Sequence, residues 1–114
     1  MRIAQEPADF ERQFASARAE AEAAFGNGEG FLEKMITRAR HVEVQIAADA
    51  EGNVRALGTR DCSVQRRHQK ILEEAPPPGL DPARLSELSD CAVRLVREVG
   101  YVGVGTVEFL VTGG

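Results

Sequence analysis

Positive charge is in short supply in this chain: 14 lysines and arginines face 18 aspartates and glutamates, a formal net charge of -4. No basic field exists to hold a phosphate backbone, which excludes nucleic acid as a general partner. Cysteine is equally scarce. Cys62 and Cys91 stand far apart with no Cys or His at metal-ligand spacing, which argues against a zinc site or a disulfide framework. The 2 histidines supply no convincing Ser-His-Asp or Cys-His arrangement, which argues against independent hydrolytic chemistry. Long apolar runs are missing, and the first residues have no apolar stretch of the signal-peptide kind, so no membrane association is expected. Internal repeats and low-complexity segments are absent as well. These absences point to a reducing, cytoplasmic setting.

What remains is a chain of 114 residues with 43% hydrophobic content, enough for a modest core. Phe10, Phe14, Ala17, Ala21, Ala24 and Phe25 recur at three- and four-residue spacing, predicting an amphipathic helix that starts at Pro7 and stops at Gly26. A strand is expected over Gly30–Ile36. His41–Ile46 alternates strictly, placing Val42, Val44 and Ile46 on a buried face and His41, Glu43 and Gln45 on the other. Glu51-Gly52-Asn53 reads as a tight turn, with positive φ at Gly52, into a second strand over Val54–Arg60. Pro76-Pro77-Pro78-Gly79 reads as a stiff loop. Asp81 is placed to cap a helix with Pro82 at its first position, with Leu85, Leu88, Ala92, Leu95, Val96 and Val99 along one face. Val104–Val111 reads as a buried strand ending at Gly113-Gly114.

Three polar features stand out. Arg66, Arg67, His68 and Lys70 crowd cationic groups together. In an extended chain Arg66, His68 and Lys70 share one side and Gln65, Arg67 and Gln69 the other, so each set could grip phosphate or carboxylate oxygens; a solvated strand pairing with Glu73 and Glu74 accounts for them equally well. Glu108 is a carboxylate within an apolar strand. Magnesium, a basic side chain or simple edge exposure could each satisfy it. The stripe of His41, Glu43 and Gln45 could meet a ligand or only solvent.

Arg40-His41-Val42-Glu43-Val44-Gln45, the block from Arg60 to Lys70 (RDCSVQRRHQK), and Glu73-Glu74-Ala75-Pro76 closely resemble biotin carboxylases. Gly105-Thr106-Val107-Glu108-Phe109-Leu110 and Leu32-Glu33-Lys34 extend the resemblance nearly end to end. It implies an α+β architecture, part of an ATP-grasp fold: an antiparallel sheet with two main helices. Residues 1–35 would be the last part of the lid subdomain and residues 36–114 the first part of the C-terminal subdomain. The implied chemistry uses MgATP, with manganese a possible substitute, to activate bicarbonate and then to carboxylate biotin carried on a separate domain. A biotin carrier domain and a carboxyltransferase component are the implied partners.

Carried over position by position, Glu33, Lys34 and Ile36 resemble residues contacting adenine. His41, Gln65 and His68 resemble residues around the ribose and phosphates. Lys70 resembles the lysine beside bicarbonate, and Glu108 resembles a magnesium carboxylate. The glycine-rich lid is expected before Met1. A second metal carboxylate, an asparagine, an arginine and a base glutamate are expected beyond Gly114, so this chain alone is expected to be inactive and, with open strand edges, to self-associate into homo-oligomers. Thr59, Val104 and Thr37-Arg38-Ala39 depart from the family pattern without touching a mapped position. Another ATP-grasp ligase, such as the large subunit of carbamoyl-phosphate synthase, and a non-catalytic assembly module are the competing readings.

Overall fold

The computed structural model describes residues 2–113, so Gly114, expected to close the last strand, lies outside the described residues. The chain divides into two compact units, the first ending at Thr37 and the second beginning at Arg38.

In the first unit a single 3-10 turn, Pro7–Asp9, leads into α1, Phe10–Phe25. Pro7 sits where a missing N–H costs nothing, and Gly26, at φ 69°, ends the helix in a left-handed conformation. Phe10 and Phe14 stack at 5.5 Å. The Arg18 guanidinium lies 6.0 Å above the Phe14 ring and its Nε donates to the Gly28 carbonyl at 2.9 Å, folding the following chain back onto the helix. The strand expected over Gly30–Ile36 does not form: this stretch is irregular, because a strand requires a hydrogen-bonded neighbour and none of the described residues pairs with it.

The second unit is a four-stranded antiparallel sheet crossed on one face by one helix. Its strands are β1 (Arg40–Ala48), β2 (Val54–Arg66), β3 (Gln69–Glu74) and β4 (Gly103–Val111), in the order β3-β2-β1-β4. The helix is α2, Pro82–Glu98. Alternation along β1 sends Val42, Val44 and Ile46 to one face, where they are fully buried with Val54, Val111 and the helix residues Leu88, Ala92 and Val96. The three helix residues are spaced by one turn, so they form a single stripe. Leu95 and Val99, expected on that stripe, are exposed. Asp81 caps α2 by accepting from the Ala83 N–H at 2.8 Å. The helix closes with Gly100 in the left-handed region, its N–H bonded to Arg97 and that of Tyr101 to Val96.

Three further sequence expectations need correction. First, β2 does not stop at Arg60 but runs to Arg66, across a bulge opposite Gln45 and Ile46 where Gly58 adopts φ 150°, a value open to glycine. Second, the cationic block is not one extended segment. Arg67 and His68 both have positive φ, 54° and 63°, and form a tight two-residue turn between β2 and β3. Gln65 and Lys70 consequently face each other across the hairpin, and the expected alternation from Arg66 to His68 to Lys70 is broken. Third, β4 is an edge strand rather than a buried one; its residues alternate between half-buried and exposed up to Leu110, and only Val111 is buried.

Candidate functional site

The second face of the sheet is polar, and strand register builds it. Glu43 on β1 lies between Arg60 on β2 and Glu108 on β4, while Lys70 on β3 reaches across from beside Gln65. At the centre Glu43 is only 2% exposed and receives two cations. Arg60 Nε donates to its Oε1 at 2.7 Å, with Arg60 Nη2 on the same oxygen, and Lys70 Nζ donates to Oε2. The Arg60 guanidinium also reaches Gln45 Oε1 at 3.1 Å and Glu73 Oε2 at 3.3 Å.

Burial alone would push the Glu43 carboxyl up; the hydrogen bonds from Lys70 and Arg60 and their charges outweigh it and hold the group below its ordinary 4.5. Lys70 is held above its ordinary 10.5, chiefly by its hydrogen bond to Glu43. Glu43 is therefore an anion and Lys70 a cation at neutral pH. Beneath them, burial and the Glu43 charge push the buried Cys62 thiol up to about 11. Glu43, Cys62 and Glu73 approach closely enough to suggest a metal cluster, but a protonated thiol and a carboxylate already holding two cations make a poor donor set.

At the β4 side Glu108 is 43% exposed. Its Oε1 accepts from His41 Nδ1 at 2.7 Å, and its Oε2 lies 3.7 Å from Lys70 Nζ, beyond hydrogen-bond reach. Because a carboxylate only accepts, Nδ1 carries the His41 proton and Nε2 is left for another partner. Glu108 thus keeps an oxygen for a hard cation, as Glu43 does not, and fits magnesium as one carboxylate of a shell completed by other oxygens.

A second network supports this face from below. Arg40 donates to Asp61 Oδ2 and to the Pro78 carbonyl, both at 2.8 Å, Asp61 Oδ1 accepts from Ser63 N–H at 2.9 Å, and Ser63 Oγ accepts from His41 N–H at 3.0 Å. Burial pushes Asp61 up, but Ser63 and Arg40 more than compensate and hold it below 3.8.

Of the residues singled out by sequence, the structure brings together His41, Lys70 and Glu108. Gln65 is adjacent, its Nε2 bonded to the Cys62 carbonyl at 3.0 Å, and His68 is exposed in the β2–β3 turn. Glu33, Lys34 and Ile36 lie exposed in the irregular segment of the first unit. Of the two residues that anchor the cluster, Arg60 was not singled out as a site residue, and Glu43 was named only in the stripe that could meet a ligand or solvent. Both stood within the quoted motifs, and the signal available was a carboxylate and a guanidinium on strands already expected to pair; their register was not.

The sheet thus has one apolar face under a helix and one face bearing a buried carboxylate between two cations. Over residues 1–113 the chain belongs to the family described as carbamoyl-phosphate synthase L chain, ATP-binding domain. It is 52% identical over 110 residues to biotin carboxylase 2, chloroplastic, of Populus trichocarpa, covering 96% of this chain and 21% of that protein. It is 48% identical over 113 residues to the pyruvate carboxylase of Staphylococcus aureus, covering 99% of this chain and 10% of that protein. Among solved structures, a biotin carboxylase complex with β-γ-ATP from Campylobacter jejuni superposes with a TM-score of 0.89 at 46% identity, over 97% of this chain and 25% of that one. The fold is therefore a fragment of the biotin carboxylase ATP-grasp fold, and the chain spans about a fifth of the plant relative's length.

Proposed function

We propose that this chain supplies one wall of the MgATP and bicarbonate site of a biotin-dependent carboxylase. The observation that carries the reading is the polar sheet face, where Lys70 donates to the buried, doubly paired Glu43 and lies 3.7 Å from Glu108, which accepts from His41. In this reaction the bicarbonate oxygen forms a bond to the γ-phosphorus of ATP as the bond to ADP breaks, and the carboxyl group then passes to biotin on a carrier domain, releasing phosphate. Lys70 presents a fixed positive charge toward bicarbonate, worth most where water is excluded. Glu108 would hold magnesium as one of its carboxylate ligands, and His41 fixes the orientation of Glu108. Bound magnesium would neutralise charge on the phosphate oxygens.

Glu33, Lys34 and Ile36 are assigned to adenine, and His41, Gln65 and His68 to ribose and phosphates. Residues 1–35 are assigned to the lid subdomain and residues 36–114 to the C-terminal subdomain. A carboxyltransferase component completes the pathway of the carboxyl group, and the free thiols Cys62 and Cys91 suit a cytoplasmic setting. No helix among the described residues is long and apolar enough to cross a membrane. Self-association of the isolated chain rests on its edge strands, β3 and β4.

A segment swap tests the proposal. The Campylobacter jejuni biotin carboxylase, with its aligned segment replaced by this chain, should release ADP in a reaction requiring magnesium, bicarbonate and biotin. The Glu108→Gln form should demand much more magnesium. A folded swap that hydrolyses no ATP, or whose Glu108→Gln form keeps the same magnesium requirement, rejects it.

A further inference from the structure

We infer that Arg60 is a positioning residue that fixes the Lys70 ammonium by occupying one oxygen of Glu43; its bearing on catalysis rests on the proposed role of Lys70. The two oxygens of Glu43 are not equivalent. Oε1 takes two N–H groups of Arg60, and Oε2 takes Lys70. A guanidinium can do this because its donors form a rigid planar fork; an ammonium is a single point of charge and cannot.

The fork is itself braced from three strands. Gln45 on β1 turns its Oε1 to Arg60 Nη2 because its Nε2 is committed to the Gly105 carbonyl of β4 at 2.7 Å, and Glu73 of β3 approaches Arg60 Nε at 3.3 Å. With Oε1 occupied, Lys70 meets one oxygen only. The remaining ammonium hydrogens are left for a ligand oxygen, and Nζ stays within 3.7 Å of Glu108. Without the fork both oxygens of Glu43 would compete for the ammonium, which could chelate between them and leave the Glu108 side.

The test pairs Arg60→Lys with Arg60→Met. In the full chain, the side-chain ammonium of Lys70 is followed by nitrogen-detected NMR, with the methyl signals of Val42, Val44 and Ile46 reporting the fold. Proton exchange at Nζ should accelerate about tenfold in Arg60→Lys, and more in Arg60→Met, while the methyl signals stay in place. If Arg60→Met loses its methyl dispersion, Arg60→Lys decides alone. In the segment-swapped carboxylase Arg60→Lys should raise the bicarbonate KM about tenfold and leave the ATP KM unmoved, a split that a general loss of structure does not produce. Unchanged Nζ exchange in Arg60→Lys, or a turnover with both constants unmoved, overturns the inference. An unsubstituted swap that is folded but inactive rejects the functional proposal instead, and the exchange measurement still decides whether Arg60 holds Lys70.

Discussion

The two faces of the sheet are made by the same strands yet are stabilised by opposite means. On one face Val42, Val44 and Ile46 meet Leu88, Ala92 and Val96 of α2, and burial of hydrocarbon is the whole argument. On the other Glu43 is as well buried as the valines beside it, but only because Arg60 and Lys70 neutralise it. An ion pair of this kind adds little net stability over well-packed hydrocarbon, and breaking it on one side is costly. The polar face is thus an expensive way to hold a sheet together and an effective way to fix the direction of charges. That difference is the physical reason for placing the site there.

Breaking each face separately tests the contrast. The largest loss of stability is expected from Ile46→Ala, about 4 kcal/mol by denaturant titration, since it removes buried hydrocarbon from the centre of the apolar face. Glu43→Gln should cost less, about 3 kcal/mol, because Arg60 and Lys70 are each about 30% exposed and water can take over part of the lost pairing.

The charged pairs, unlike the hydrocarbon, carry a pH dependence. Glu43 and Asp61 have carboxyls held below their ordinary values, so their stabilisation is fully present above the unfolded values of 4.5 and 3.8 and is lost as pH falls through the folded ones. Acid unfolding should be less steep in Glu43→Gln than in the unsubstituted chain; equal steepness would mean that Glu43 is not held as described. The smallest effect concerns the turn. Replacing Arg67 with Asn and His68 with Gly relieves two positive-φ residues and should raise stability by about 1 kcal/mol in a thermal melt.

Periodicity and punctuation were enough to place most of the fold. Asp81-Pro82, Gly100, the alternation of His41–Ile46 and the turn at Gly52 each carry a local physical cause, and each element formed where that cause lay. What was not legible depends on neighbours distant in sequence. The turn at Arg67 and His68 uses residues that rarely adopt positive φ, so no glycine or asparagine announced it. Gly30–Ile36 looked like a strand but found no partner among the described residues, and the apolar composition of β4 hid its place at the sheet edge. Within the site, His41, Lys70 and Glu108 were reachable through motif resemblance. The burial of Glu43 was not legible, because alternation distinguishes two faces without saying that the second would be covered by Arg60 and Lys70.

The most direct test of the polar face as the working surface is bicarbonate-dependent ADP release by the segment-swapped carboxylase carrying Lys70→Ala, measured beside Leu88→Ala on the apolar face. Loss of a fixed charge at the reacting groups should lower kcat by about 100-fold or more in Lys70→Ala, whereas Leu88→Ala should lower thermal stability and leave kcat within about twofold at a temperature where it is folded. A Lys70→Ala enzyme that turns over as fast as the parent swap would contradict the account.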